Sequence, residues 1–224
     1  MTIVRLKADV GYCELNRSFI FLDVMRDRYV SITPDLEAAF RRICASGEGV
    51  EPHLALLLLQ TGLFEAIPKN FAAQPSRKLI TPSRAITVPD VSKGATSKFI
   101  VHWARAISLL AVFHGFARRK SLKNSIDLAR SLSNHPLLRI KNGNKEALLT
   151  AFGFATLLFR RKDRCLPDAL ALFSLLAASG YPVQITFGVR RLPFQAHCWV
   201  QQDDVVLGQD IENVQAFCPI LAVA

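Results

Sequence analysis

Residues 165–210 read "CLPDALALFSLLAASGYPVQITFGVRRLPFQAHCWVQQDDVVLGQD". The pattern changes period halfway along. Residues 166–179 form an amphipathic run of helix-forming residues, and Gly180 with Pro182 closes it, so a helix is expected there. From Pro182 onward the period is two. "PVQITFGVR" (182–190), "AHCWVQQ" (196–202) and "DVVLGQD" (204–210) read as three strands joined by short loops. A helix that begins at a cysteine therefore leads into a sheet that carries a histidine.

Position gives both residues a chemical meaning. Cys165 lies at a helix start, with Pro167 and Asp168 in the first turn. Free N–H groups and the helix dipole stabilise a thiolate there. Arg160, Arg161, Lys162 and Arg164 act in the same direction. Acyl transfer needs an activated sulfur with a backbone N–H near it to hold the oxyanion. His197 lies in the strand "AHCWV", where a base can face the sulfur across a helix–sheet interface. A carboxylate on the next strand would orient its ring. Asp210 is the leading candidate, because Asp203 and Asp204 lie nearer the expected turn.

Against this stands the ordinary role of cysteine as a small buried hydrophobe. Cys198 adjoins His197, but strand alternation turns it to the opposite face, which reads as packing. Cys13, Cys44 and Cys218 have neither a charged helix start nor a paired histidine. His53, His102, His114 and His135 lie in helices or near loops with no matching cysteine, and read as structural or solvated. Asp163 and Asp168 read as a solvated turn and a helix-start carboxylate.

Bulk properties set wider bounds. Of 224 residues, 50% are hydrophobic, which excludes wholesale disorder and allows two small domains. The net charge of +10 suits an anionic partner, but the basic residues are scattered and select none. Five cysteines without CxxC spacing argue against a zinc site or a disulfide scaffold, so no metal is expected. The segment "MTIVRLKADVGY" lacks an apolar signal region, and residues 99–116 carry His102, Arg105 and His114. A cytoplasmic chain with no membrane span is the expectation.

The first half reads as a separate module. In "SFIFLDVMRDRYVSI" (18–32) two apolar runs flank a polar "RDR", as in a β-hairpin. Thr33, Pro34 and Asp35 then start a helix, and Leu36, Phe40 and Ile43 recur at helical spacing before the Gly47/Gly49 region. A second helix follows from about His53, with Leu54, Leu57 and Leu58 on one face, and "TGLFEAI" returns as a short extended segment. The pattern suggests a small winged-helix-like α+β domain, a three-stranded sheet plus helices. Residues 69–97, rich in Pro, Ser, Lys and Thr, read as linker. The division expected is a recognition domain over 1–83, a linker over 84–97 and a second domain over 98–224. Helical patterns in the last fill 98–118, about 123–133 and 145–160, and the terminal "FCPILAVA" is expected to dock.

The ordered motifs Cys-Leu at a helix start, a helix-ending Gly, "GV", "AHxWV" and a final "F-x-P-I" resemble the lasso-peptide biosynthesis B proteins across about 160–222. "FLDVMRDRYVSITPDLEAAFRRI" resembles the core of their precursor-recognition domain, itself similar to the peptide chaperone of pyrroloquinoline quinone biosynthesis. The resemblance implies a transglutaminase-like, papain-like cysteine protease domain with a Cys165, His197 and Asp210 triad. It implies a leader peptide added as a strand beside Arg28, Tyr29, Val30, Ser31 and Ile32, with His53 and Leu57 completing the groove. It further implies an asparagine-synthetase-like cyclase as partner, which would use ATP. This chain shows no Walker-type loop, so no cofactor is expected on it and ATP falls to the cyclase.

One position departs from the family pattern. An acidic residue there directly follows the "V-L/V-G/N" of the third strand, whereas this chain has Gln209, with Asp210 one later. Either the strand end shifts by a residue or an amide orients the ring. Two other functions fit the same residues. One is a transglutaminase-like acyl transferase acting on a peptide amide. The other is a basic winged-helix nucleic-acid binder, against which the Leu-rich helices and dispersed charge argue.

Overall fold

The computed structural model describes residues 3–46, 49–67, 79–87, 97–116, 120–136, 139, 144–159 and 164–224. The chain forms two compact units, Met1–Leu79 and Ile80–Ala224.

In the first unit the antiparallel strands β1 (Ile3–Leu6) and β5 (Phe64–Ile67) pair as a sheet of their own. Strands β2 (Val10–Leu15), β3 (Ser18–Asp23) and β4 (Arg28–Val30) form a three-stranded antiparallel sheet with β3 central. Asn16 and Arg17, both at positive φ (51° and 65°), make the tight two-residue turn between β2 and β3. The expected hairpin over 18–32 is β3 and β4. Strand β2 extends that hairpin, and β1 lies outside it. Helices α1 (Pro34–Ser46) and α2 (Pro52–Gln60) follow. Phe19, Phe21, Phe40 and Phe64 fill the core, and Tyr12 meets the Phe40 ring edge-on at 4.9 Å. Such aromatic contacts add about 0.5–1.5 kcal/mol per pair beyond their buried area. At the α1 end of this core, the Glu37 carboxylate accepts the Phe19 N–H at 2.9 Å.

The second unit is built around α6 (Cys165–Ala178), apolar on all sides and almost wholly buried. This differs from the amphipathic expectation, and the reason is packing on several sides: α3 (Ser97–Phe116), α4 (Leu122–Ser133), α5 (Lys145–Thr156) and the sheet all contact it. Its buried hydroxyl, on Ser174, is satisfied by Leu170 O at 2.8 Å and Ala129 O at 3.3 Å. Helix α5 starts where Asn144 Oδ1 accepts the Glu146 N–H. It ends at Thr156, short of the expected 160. No helix among the described residues is long and apolar enough to cross a membrane.

The sheet has five strands in the order β10-β7-β8-β9-β6. Strands β7 (Gln184–Arg190), β8 (Gln195–Gln202) and β9 (Val205–Leu207) are the three expected. The terminal segment docks as β10 (Cys218–Val223), antiparallel to β7, after a short helix α7 (Glu212–Gln215). Strand β6 (Arg84–Ile86) runs parallel to β9. Residues 84–86 were expected to be linker and 80–83 to close the first domain, so both expectations are corrected. Backbone pairing to the β8–β9 turn draws them in: the Ser83 N–H reaches Asp204 O at 2.9 Å, and the Asp204 carboxylate takes Ser83 Oγ–H and Arg84. That turn needs Asp203 at φ 52°. Residues 69–78 and 88–96 of the expected linker lie outside the described residues.

Candidate active site

Cys165 is the first residue of α6, preceded by Arg164 in a helical conformation with no side-chain cap. The first intrahelical bond there is Asp168 N–H to Arg164 O at 3.0 Å. The N–H groups of Cys165 and Leu166 thus have no intrahelical acceptor, and Pro167 contributes none. Arg160, Arg161, Lys162 and Asp163 lie outside the described residues.

Strand β8 supplies the other half of the site. Its pairing with β9 begins at Gln202↔Val205 and stops at Val200↔Leu207, so residues 195–199 have no β9 neighbour. Cys165 meets β8 in that stretch. The Cys198 thiol, the His197 ring and the Cys198 backbone N–H all act on the charge of its sulfur. The Cys198 hydrogen bond acts most strongly, followed by opposing burial and then by the His197 hydrogen bond and charge. Together they lower the Cys165 pKa to about 4. Burial works to lower the His197 pKa, but hydrogen bonds to Cys165 and Gln209 and the sulfur's charge outweigh it, and the net shift is upward. Both shifts favour the charged forms, a thiolate on Cys165 and an imidazolium on His197.

His197 Nε2 donates to Gln209 Oε1 at 3.0 Å, which leaves Nδ1 for the sulfur. Gln209, not Asp210, thus holds the ring. Asp210 is exposed, and its backbone carbonyl accepts the Asn213 N–H at 3.3 Å. Gly208 explains the difference. At φ 77° it turns the chain out of the strand, so simple alternation from Leu207 no longer applies. A Cβ on Gly208 would also stand 3.0 Å from Leu172 of α6.

The imidazole lies between Phe217 and Trp199, with ring centroids at 5.2 Å and 6.1 Å. Gly188 is directly opposite His197 on β7. Trp199 covers it so closely that a Cβ there would meet the indole at 2.6 Å. The indole N–H donates to the buried Gln201 Oε1 at 2.6 Å, and Gln201 Nε2 in turn donates to Ile80 O and Asp203 O. The Trp199 N–H is therefore committed to the scaffold rather than to an oxyanion.

A second charged group flanks the nucleophile. Asp168, one turn into α6, receives His114 Nε2 at 3.0 Å and lies 3.4 Å from Arg164 Nε. Burial raises the Asp168 pKa against the opposing pull of His114 and Arg164. His114, on α3, also stacks on Phe159 at 5.1 Å. Both residues were read as incidental in the sequence, but together they tie the start of α6 to α3. His114 lies 51 residues before Cys165 in the chain, so no local pattern announced the pair.

In the first unit, β4 is an outer strand and pairs with β3 alone in its sheet. Tyr29, Val30 and Ile32 are half-buried, and Ser31 is exposed. Arg28 reaches back to Asp23 at 3.8 Å. His53 and Leu57 are exposed on α2, which packs on β1, β5 and α1. Among the described residues no three His, Cys, Asp or Glu side chains cluster as a metal site would need.

A cysteine at a helix start, a histidine beside it and an amide on the far ring nitrogen are the parts that acyl-transfer chemistry uses. Residues 104–222 match the Transglutaminase-like superfamily, and the chain belongs to it. That superfamily includes cysteine peptidases and acyltransferases. No curated protein and no solved structure matches the chain.

Proposed function

We propose that this chain is a cysteine peptidase that removes the leader from a ribosomally made lasso-peptide precursor. The observation that carries the chemistry is the helix-start Cys165, its pKa lowered to about 4 in part by His197, whose Nε2 is held by Gln209. The thiolate attacks the carbonyl carbon at the leader–core junction. The N–H groups of Cys165 and Leu166 are the donors nearest the forming oxyanion. His197 gives its Nδ1 proton to the departing amine, the C–N bond breaks, and a thioester remains. His197 then takes a proton from water as it attacks, and the leader acid and Cys165 thiolate are released.

The lasso assignment is supported by the sequence resemblance and by the outer position of β4 in the order β2-β3-β4. A leader segment would add there by backbone pairing, with Arg28, Tyr29, Val30, Ser31 and Ile32 along the edge and His53 and Leu57 as further contacts. The freed core amine would pass to an asparagine-synthetase-like cyclase that spends ATP, and no cofactor is assigned to this chain. The reaction would take place in the cytoplasm.

The test is incubation of the full chain with a lasso-type precursor peptide, read by mass spectrometry, with hydroxylamine added to trap the acyl-enzyme. Separate leader and core fragments, and a leader hydroxamate, are expected. An intact precursor, with the protein folded and the peptide bound, overturns the peptidase reading. An amide formed with an added amine in place of the free leader acid makes the chain an acyl transferase.

A further inference from the structure

One arginine shares the sheet face of His197. On β7, Gly188 stands opposite His197 and Arg190 opposite Gln195, so Arg190, Gly188 and His197 project to the same side. Phe217 fills the space that Gly188 leaves, where a Cβ on residue 188 would stand 3.0 Å from the Phe217 Cβ. The Phe217 ring meets the imidazole with centroids 5.2 Å apart, and it also carries the Arg190 guanidinium carbon at 5.5 Å.

The guanidinium has no polar contact to match. The Arg190 Nε–H is buried with no acceptor, and among the described residues no carboxylate pairs with the side chain. Other arginines of this unit do find one: Arg84 takes Asp204 at 2.8 Å, and Arg164 lies 3.4 Å from Asp168. A buried donor without an acceptor is destabilising, and a charged one more so. An aromatic face under a guanidinium fixes the plane of its fork without using the N–H groups. The fork is therefore set for an acceptor that the described residues do not supply. Its geometry matches a carboxylate, which takes two parallel N–H bonds. The turn that follows shows Leu192 at 84% and Phe194 at 52% exposure, apolar surface that a peptide covers and a small anion does not.

We propose that Arg190 determines specificity by holding an acidic side chain of the peptide substrate close to Cys165 and His197. This rests on the reading of Cys165 as the nucleophile and deepens it. The substrate class becomes peptides with Asp or Glu near the bond attacked.

The experiment uses small probes in place of the peptide. The full-length chain is alkylated near neutral pH with iodoacetyl-Glu-amide or iodoacetyl-Gln-amide, and labelling of Cys165 is followed by peptide mapping. The two probes have the same size and differ in one carboxylate. Wild type is expected to react about tenfold faster with the glutamate probe, the size of one hydrogen bond to a charged group. Arg190→Gln should bring the two rates together by slowing the glutamate probe alone. Circular dichroism checks folding, and Arg190→Met replaces the glutamine variant if it does not fold. Equal rates in wild type overturn the inference and leave Cys165 as nucleophile. A preference that survives in the variant does the same. A variant slowed equally toward both probes assigns Arg190 to packing and also overturns the inference. Labelling of Cys165 by neither probe overturns the reading of Cys165 together with the inference that rests on it.

Discussion

Cys44 and Cys165 are the same side chain at opposite ends of a helix. Cys44 lies in the last turn of α1, Cys165 in the first of α6. Cys44 is exposed, yet its sulfur is crowded at 3.7 Å from the Tyr12 hydroxyl, and desolvation raises its pKa. Glu14 adds to the rise and Arg41 opposes it. Cys165 is the more enclosed of the two, yet its pKa falls to about 4. Enclosure alone therefore does not decide thiol chemistry: at Cys44 desolvation outweighs the Tyr12 hydrogen bond, whereas at Cys165 the Cys198 and His197 side chains outweigh it.

The comparison breaks most completely at the nucleophile. Cys165→Ala is expected to abolish precursor cleavage while Cys44→Ala leaves it unchanged, as scored by mass spectrometry of the products. Cleavage surviving in the Cys165 variant would remove the chemical distinction between the two sulfurs.

Next in size is the pH contrast. A depressed thiol pKa means the thiolate is present above it and lost as pH falls through it, near 4 for Cys165. The raised His197 pKa extends the imidazolium form above its ordinary 6.5. The ion pair therefore occupies a window that opens near pH 4 and closes above 6.5. Iodoacetamide at mildly acid pH should label Cys165 and leave Cys44 almost untouched, with labelling of Cys44 appearing only in alkali. Equal labelling of the two in acid counts against the assignment.

Changing the ring's partner should have a smaller effect. Gln209→Ala removes the hydrogen bond to His197 Nε2 and should lower turnover about tenfold, the value of one such bond. Asp210→Asn should stay near wild type, because its side chain is exposed and away from the ring. Steady-state cleavage by the two variants decides between them, and a crippled Asp210→Asn would restore the carboxylate triad.

Packing behind the site comes next. Gly188→Ala places a methyl 2.6 Å from the Trp199 ring. Overpacking of this kind costs about 1–3 kcal/mol. A lower melting temperature is expected, with the His197 wall displaced as well. The smallest effect belongs to the surface. Arg84→Ala breaks an exposed pair with Asp204 and should leave the midpoint of denaturant unfolding almost unchanged.

The sequence determined what short-range physics governs. Cys165 was legible as a helix start because Pro167, Asp168 and the following apolar run are local signals. His197 was legible in a strand because the period of two around it is local as well. The hairpin over 18–32 and the helices of the second unit follow for the same reason. The tertiary structure decided the rest. Strand β1 pairs with β5 some 60 residues away, and β6 joins β9 across about 120, separations at which no pattern in either segment names its partner. Alternation favoured neither Gln209 nor Asp210, and the turn at Gly208 gave the ring to Gln209.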